Sequence, residues 1–169
     1  MKKYFIGISL SCLAFFNSCV ANSMFEKSIE IDAPKEIVFS LITDYENYVK
    51  IIPMLHDTVT ILSENKTGEN VVWESTGSFK GHKFTSKWTV TKYVENETVE
   101  IKDLDGGIGE TKLTVKEIDN NKTKYTMYLV TKMYKPYEKD FIAIYEKEMK
   151  IIKEESEKKY KENIKEEDN

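Results

Sequence analysis

Phe25-Glu26-Lys27-Ser28-Ile29-Glu30-Ile31-Asp32-Ala33-Pro34-Lys35-Glu36-Ile37-Val38-Phe39 changes its hydrophobic period halfway along. Residues 25–32, with Phe25, Ser28 and the Ile29/Ile31 pair, read as a short alternating strand that stops at Ala33-Pro34. Beyond the proline, Ile37, Val38, Leu41 and Ile42 recur at helical spacing through Thr43. Asp32 is the expected N-cap, with Pro34 near the first turn and Glu36 after it. Asp44-Tyr45-Glu46-Asn47-Tyr48 predicts a second short helix toward Val49, closed by Pro53.

From His56 to Met133 the period becomes two. β-branched and aromatic runs are separated by turn clusters at residues 65–68, 80–82, 95–97, 105–107 and 119–121. Five turns separate six strands, and such short connections imply consecutive antiparallel hairpins. One face carries Val59/Ile61, Val71/Trp73, Phe84/Trp88/Val90, Val99/Ile101, Leu113/Val115 and Tyr125/Met127/Leu129/Met133. A helix beginning near Tyr137, with Phe141, Ile144, Tyr145, Met149 and Ile152 at three- and four-residue spacing, can cover that face. The expected class is α+β, with about seven antiparallel strands and a long C-terminal helix. Residues 153–169 read as a charged helical tail.

The 169 residues are 40% hydrophobic and 32% charged, a profile that excludes a disordered chain and a polytopic membrane protein. All 25 basic residues are Lys, set against 29 acids for a net charge of −4. Nucleic-acid binding is therefore not expected, because phosphate affinity needs a basic face. Two Cys and two His without a CxxC or HxxxH spacing predict no metal site, and no cofactor is expected.

Lys2-Lys3, the apolar run Tyr4 to Phe16 and the small or polar residues through Ser23 follow the three regions of a secretory signal. Residues 1–23 are accordingly read as an export leader and 24–152 as the folded domain. Alternatives stay open at the leader: cleavage after Ala21 or Ser23, lipidation of Cys19, an uncleaved membrane anchor, or an internal start at Met24. Both Cys lie in this stretch, so the domain is expected to hold together by packing.

Ile31-Asp32-Ala33-Pro34 leading into Val38-Phe39, then Asp44-Tyr45-Glu46-Asn47-Tyr48 before Pro53, resembles the opening of the SRPBCC (START-like) superfamily. Gly77-Ser78-Phe79-Lys80-Gly81 running into Phe84-Thr85-Ser86-Lys87, and Asp103-Leu104-Asp105-Gly106-Gly107, are similar to its coenzyme Q-binding, polyketide cyclase branch. The resemblance spans about residues 25–152. It implies a helix-grip fold, in which a curved sheet wraps around the last helix and leaves an apolar cavity for a lipid, quinone, sterol or polyketide. The superfamily includes carriers, sensors and enzymes, so fold alone does not decide function.

An enzyme in such a cavity needs an acid, a base or a nucleophile aimed inward. His56 is read as initiating a strand and His82 as a turn residue, and no GxSxG elbow is present. Asp103, on the side of Val99 and Ile101, is the one carboxylate candidate, with a turn-stabilising role as the rival reading. Aromatic residues suit a pocket where an apolar wall carries a few polar tips. The expected ligand-contacting set is Tyr45, Tyr48, Trp73, Phe84, Trp88, Ile101, Tyr125, Met127, Phe141 and Tyr145, with Tyr45 and Tyr48 near the mouth. These readings together predict an exported or membrane-tethered protein that binds a hydrophobic small molecule, with membrane contact through the N-terminus. The alternatives are a polyketide cyclase- or hydratase-like enzyme using Asp103 or a pocket Tyr, and an interaction module using the helix end from Lys153.

Overall fold

Strand β1 (Val20–Ile31) lies antiparallel to β7 (Lys122–Tyr134), which brings the two ends of the sequence pattern together at one edge of the sheet. The structure, a computed structural model, describes residues 20–106 and 109–167. Cys19 and most of the expected leader lie outside them. Between β1 and β7 come β2 (Thr58–Ile61), β3 (Val72–Phe79), β4 (His82–Val94), β5 (Thr98–Asp103) and β6 (Gly109–Asp119). Every neighbouring pair is antiparallel, in the order β1-β7-β6-β5-β4-β3-β2. Each successive connection after β2 is a hairpin, as the turn clusters predict.

β1 starts five residues earlier than its alternation suggests. Val20 to Met24 have no apolar/polar repeat, yet their backbone pairs residue for residue with Val130 to Tyr134. Helix α1 (Lys35–Ile42) follows, then a 3-10 turn at Tyr45–Asn47 and the one-turn helix α2 (Tyr48–Ile51). Asp32 does not cap α1. Pro34 precedes the first helical residue and no side chain caps it, because Asp-Ala-Pro sets the aspartate two residues too early. Instead the Asp32 N–H donates to Glu157 Oε1 at 3.0 Å, and its carboxylate lies 3.5 Å from Lys122 Nζ. Thr123 Oγ1 donates to the Ala33 carbonyl at 2.7 Å, fixing the corner between β1 and α1 onto β7.

A 3-10 turn at Lys135–Tyr137 leads into α3 (Glu138–Glu167). Phe141, Tyr145, Met149 and Ile152 are buried on it, and the buried stripe continues through Ser156. The helix therefore packs beyond the point where its apolar residues thin out. The inward face of the sheet is the expected one, apart from Met133, whose side chain lies outside those described. Val71, Trp73, Trp88, Val90, Val99, Ile101, Leu113, Val115, Tyr125, Met127 and Leu129 are all buried.

At the β3–β4 hairpin, Lys80 and Gly81 both take positive φ, as a two-residue turn matching the sheet's twist requires. Gly77, further back on β3, serves a different purpose. A Cβ there would sit 1.7 Å from the Leu55 carbonyl oxygen, so only glycine lets the Leu55-His56 backbone lie against the strand. Gly77→Ala is expected to cost about 2–4 kcal/mol, seen as a lowered thermal midpoint, because backbone rather than a flexible side chain must move. An unchanged midpoint would mean that this approach is unimportant to the fold.

Candidate functional site

The curved sheet and α3 do not close on each other completely. They enclose a cavity of about 490 Å³, within the range of small-molecule sites. Its walls come from Trp73 of β3, Phe84 and Trp88 of β4, Ile101 of β5, Leu113 of β6, and Met127 of β7. Phe141 and Tyr145 close it from α3, and Tyr48, Ile52, Leu55 and His56 from the α2 end. The exposed lining residues His82, Lys83, Asp105 and Lys132 mark the mouth. It lies at the end of the sheet where the β3–β4 and β5–β6 turns, the end of β7 and the start of α3 meet.

One side of this mouth is fastened. Lys80 of the β3–β4 turn pairs with Asp140 in the first turn of α3 at 2.7 Å. Behind the ion pair, Phe79 meets Tyr137 and Phe141 edge-on, with centroids 5.8 and 5.3 Å apart. Both charges are about half exposed, so the aromatic contacts carry more of this closure than the ion pair.

Of the residues expected at the ligand, Tyr48, Trp73, Phe84, Trp88, Ile101, Met127, Phe141 and Tyr145 line the cavity. Tyr45 does not. It is 1% exposed and stacks on Trp73 at 4.3 Å with the rings 8° from parallel, supporting the wall from behind. Tyr48 is not near the mouth either. It lies at the α2 end with its hydroxyl donating to the Ile42 carbonyl at 2.9 Å. Both residues sit in the turn of chain that seals the inner side of the sheet, away from the exposed lining residues. Tyr125 is also fully buried, outside the lining itself. Trp73 and Trp88 are cross-strand partners with near-parallel rings, and Trp88 Nε1–H donates to Ser75 Oγ at 3.1 Å.

Asp103 faces the cavity as its strand position predicts and is 3% exposed. Its Oδ1 accepts the Asp105 N–H at 2.8 Å, so it also holds the β5–β6 turn. The Asp105 carboxylate in turn accepts the Lys87 N–H at 3.0 Å.

His56 departs from the sequence reading, because it is buried in the cavity wall rather than simply starting a strand. Its N–H bonds back to the Ile52 carbonyl, and the close approach at Gly77 keeps this segment against β3. The imidazole Nδ1 has no partner among the described residues. Burial lowers the His56 pKa to about 4, against a smaller opposing effect of Asp57, so the ring is neutral at pH 7.

Glu148 was not singled out by the sequence reading. It is 4% exposed, lines the cavity, and its Oε2 has no hydrogen-bond partner among the described residues. Burial raises its pKa from 4.5 to about 8, making it mostly a neutral acid at pH 7. The phenols of Tyr48, Tyr125 and Tyr145 are pushed up, first by burial and further by Glu148. One signal for Glu148 was in the sequence: it falls three residues after Tyr145 and four before Ile152, on the buried stripe of α3. Among the described residues, no group of three His, Cys, Asp or Glu side chains is placed to hold a metal. No described helix is long and apolar enough to cross a membrane.

The fold is shared by solved structures of low sequence identity. The Zhui aromatase/cyclase from Streptomyces sp. R1128 superposes with a TM-score of 0.65 at 16% identity, over 81% of this chain and 94% of that one. A START superfamily protein from Mycobacterium smegmatis gives 0.61 at 15%, over 82% and 97%. Ara h 8.0201 gives 0.60 at 15%, over 80% and 98%. No curated protein matches the sequence. The family model described as polyketide cyclase / dehydrase and lipid transport matches residues 24–157, so this helix-grip chain belongs to that family.

Proposed function

We propose that this protein binds a hydrophobic small molecule, a lipid, quinone or polyketide-like compound, in the cavity between the sheet and α3, and does so exported or tethered at a membrane. The observation that carries the binding reading is the cavity itself: about 490 Å³ walled mainly by aromatic and aliphatic side chains. The Lys2-Lys3 and Tyr4–Phe16 pattern supports export. Native mass spectrometry of protein purified from membranes without denaturation is expected to show an apolar adduct released on unfolding. Thr111, half-buried on β6 and part of the wall, offers a direct control. Thr111→Trp would fill the cavity with an indole and is expected to reduce adduct occupancy at least tenfold. A chain that carries no adduct and takes none up from vesicles would overturn the reading.

A second reading, a cyclase- or hydratase-like enzyme in the same cavity, is favoured by the buried titratable groups Asp103, His56 and Glu148 on its walls. It requires that Asp103→Asn or Glu148→Gln abolish turnover of a polyketide-like substrate while ligand affinity persists. Turnover that survives in both variants would remove it.

A further inference from the structure

The cavity is apolar in most of its surface, yet three of its lining residues carry a buried polar atom with no partner among the described residues: His56 Nδ1, Thr131 Oγ1 and Glu148 Oε2. A buried polar atom left unmatched costs more than the same volume filled by carbon. Glu148 is the most costly of the three. It stands in the middle of α3's buried stripe, between Tyr145 and Ile152, where a Leu would pack without penalty. It lies ten residues into the helix from Glu138, about 15 Å along its axis from the mouth end.

We propose that Glu148 is the ligand-recognition group of the inner cavity: its neutral carboxylic acid donates a hydrogen bond to an uncharged oxygen acceptor on the leading end of an otherwise hydrophobic ligand. The proposal rests on the cavity being a binding site. It narrows the ligand class to ketones, quinones, esters and similar compounds that enter oxygen first and leave their apolar bulk toward Phe84 and Phe141. A plain hydrocarbon chain would leave the acid unmatched, and a ligand carboxylate would compete with it for the proton.

The surroundings keep Glu148 protonated. From α2 it is faced by Tyr48, from β7 by Tyr125 and on its own helix by Tyr145, all phenols that ionise only at higher pH. His56, the cavity's other buried base, is neutral. Lys27, the cation that β1 turns inward, is engaged with Glu146 at 2.6 Å. Asp103, Asp105, His82, Lys83 and Lys132 line other parts of the wall, on β4, β5, β7 and the β5–β6 turn. A hydrogen bond from the acid should therefore persist at pH 6 and be lost once Glu148 ionises, near pH 8.

The test uses two uncharged probes of nearly equal shape, 2-acetylnaphthalene and 2-ethylnaphthalene, which differ in one carbonyl oxygen. Equilibrium dialysis with the full chain gives the ratio of their affinities, cancelling the shared apolar contribution. Relative to wild type at pH 6, the preference for the ketone is expected to fall about tenfold in Glu148→Leu and to persist in Glu148→Gln, whose amide still donates. In wild type it should fall similarly between pH 6 and pH 9.5, while in Glu148→Gln it should not change. Circular dichroism at each pH confirms that the fold is intact. A ratio that is the same in wild type and Glu148→Leu, or that ignores pH in wild type, overturns the assignment while leaving the cavity's binding role standing. Failure of both probes to bind wild type would overturn the binding reading and this inference together.

Discussion

Replacing Glu148 by Gln is expected to raise the free energy of unfolding by about 3–4 kcal/mol at pH 8 and to leave it nearly unchanged at pH 4. The sign follows from the raised pKa. An unfolded glutamate ionises near 4.5, whereas in the fold it holds its proton to about 8. Over that interval the folded chain binds more protons than the unfolded one, so stability falls as pH rises. His56 works in the opposite direction: its folded pKa of about 4 lies below the ordinary 6.5, so its contribution is complete above 6.5 and is lost as pH falls toward 4. Between about 4.5 and 6.5 the two slopes cancel, and these groups leave the wild-type stability level there. Glu148→Gln removes one slope and exposes the other, so the variant should gain about 2–3 kcal/mol between pH 4 and 6.5. Urea titrations across pH 4–8 measure both effects. Parallel wild-type and variant curves would show that Glu148 ionises in the fold as it does in water.

Trp73→Ala is expected to lower stability by about 3–5 kcal/mol, the range for removing a buried indole, and the thermal midpoint by about 10 °C. Trp73 is 1% exposed and touches three rings: Tyr45 stacked at 4.3 Å, Tyr48 edge-on at 6.4 Å and Trp88 near-parallel at 6.4 Å. Its removal takes the support from the α2 end of the cavity as well as part of its wall, so uptake of an apolar probe should weaken in the same variant. Trp88→Phe is the useful contrast. It keeps an aromatic wall and breaks only the Nε1–H bond to Ser75, which should cost about 1 kcal/mol. Equal losses in the two variants would mean that the stack is not what holds this end together.

Strand number, turn positions and the inward face were legible because a period of two with polar turns leaves little freedom of register. The opening of β1 was not, because Val20-Ala21-Asn22-Ser23-Met24 owes its strand to pairing with β7 and has no alternation of its own. The cavity-lining aromatics could be read as inward, but not which of them border empty space. Tyr45 and Tyr125 are as buried as Trp73 and lie a layer behind, a distinction that depends on curvature. His56 and Glu148 were hidden for a different reason. A charged or titratable residue in an apolar pattern is ordinarily assigned to solvent, and only the helical spacing of 145, 148 and 152 argued against this.

In the register of β1 against β7, Val20 stands opposite Tyr134, beside the turn that starts α3. The chain therefore joins the domain at the rim of the cavity rather than at its sealed end. A leader held in a bilayer, or an acyl chain on Cys19, would then suspend the opening within a few residues of the headgroups. Loading of a protein tethered in that way would become a lateral partition from the membrane plane, and the poor aqueous solubility of an apolar ligand would no longer limit its rate of exchange.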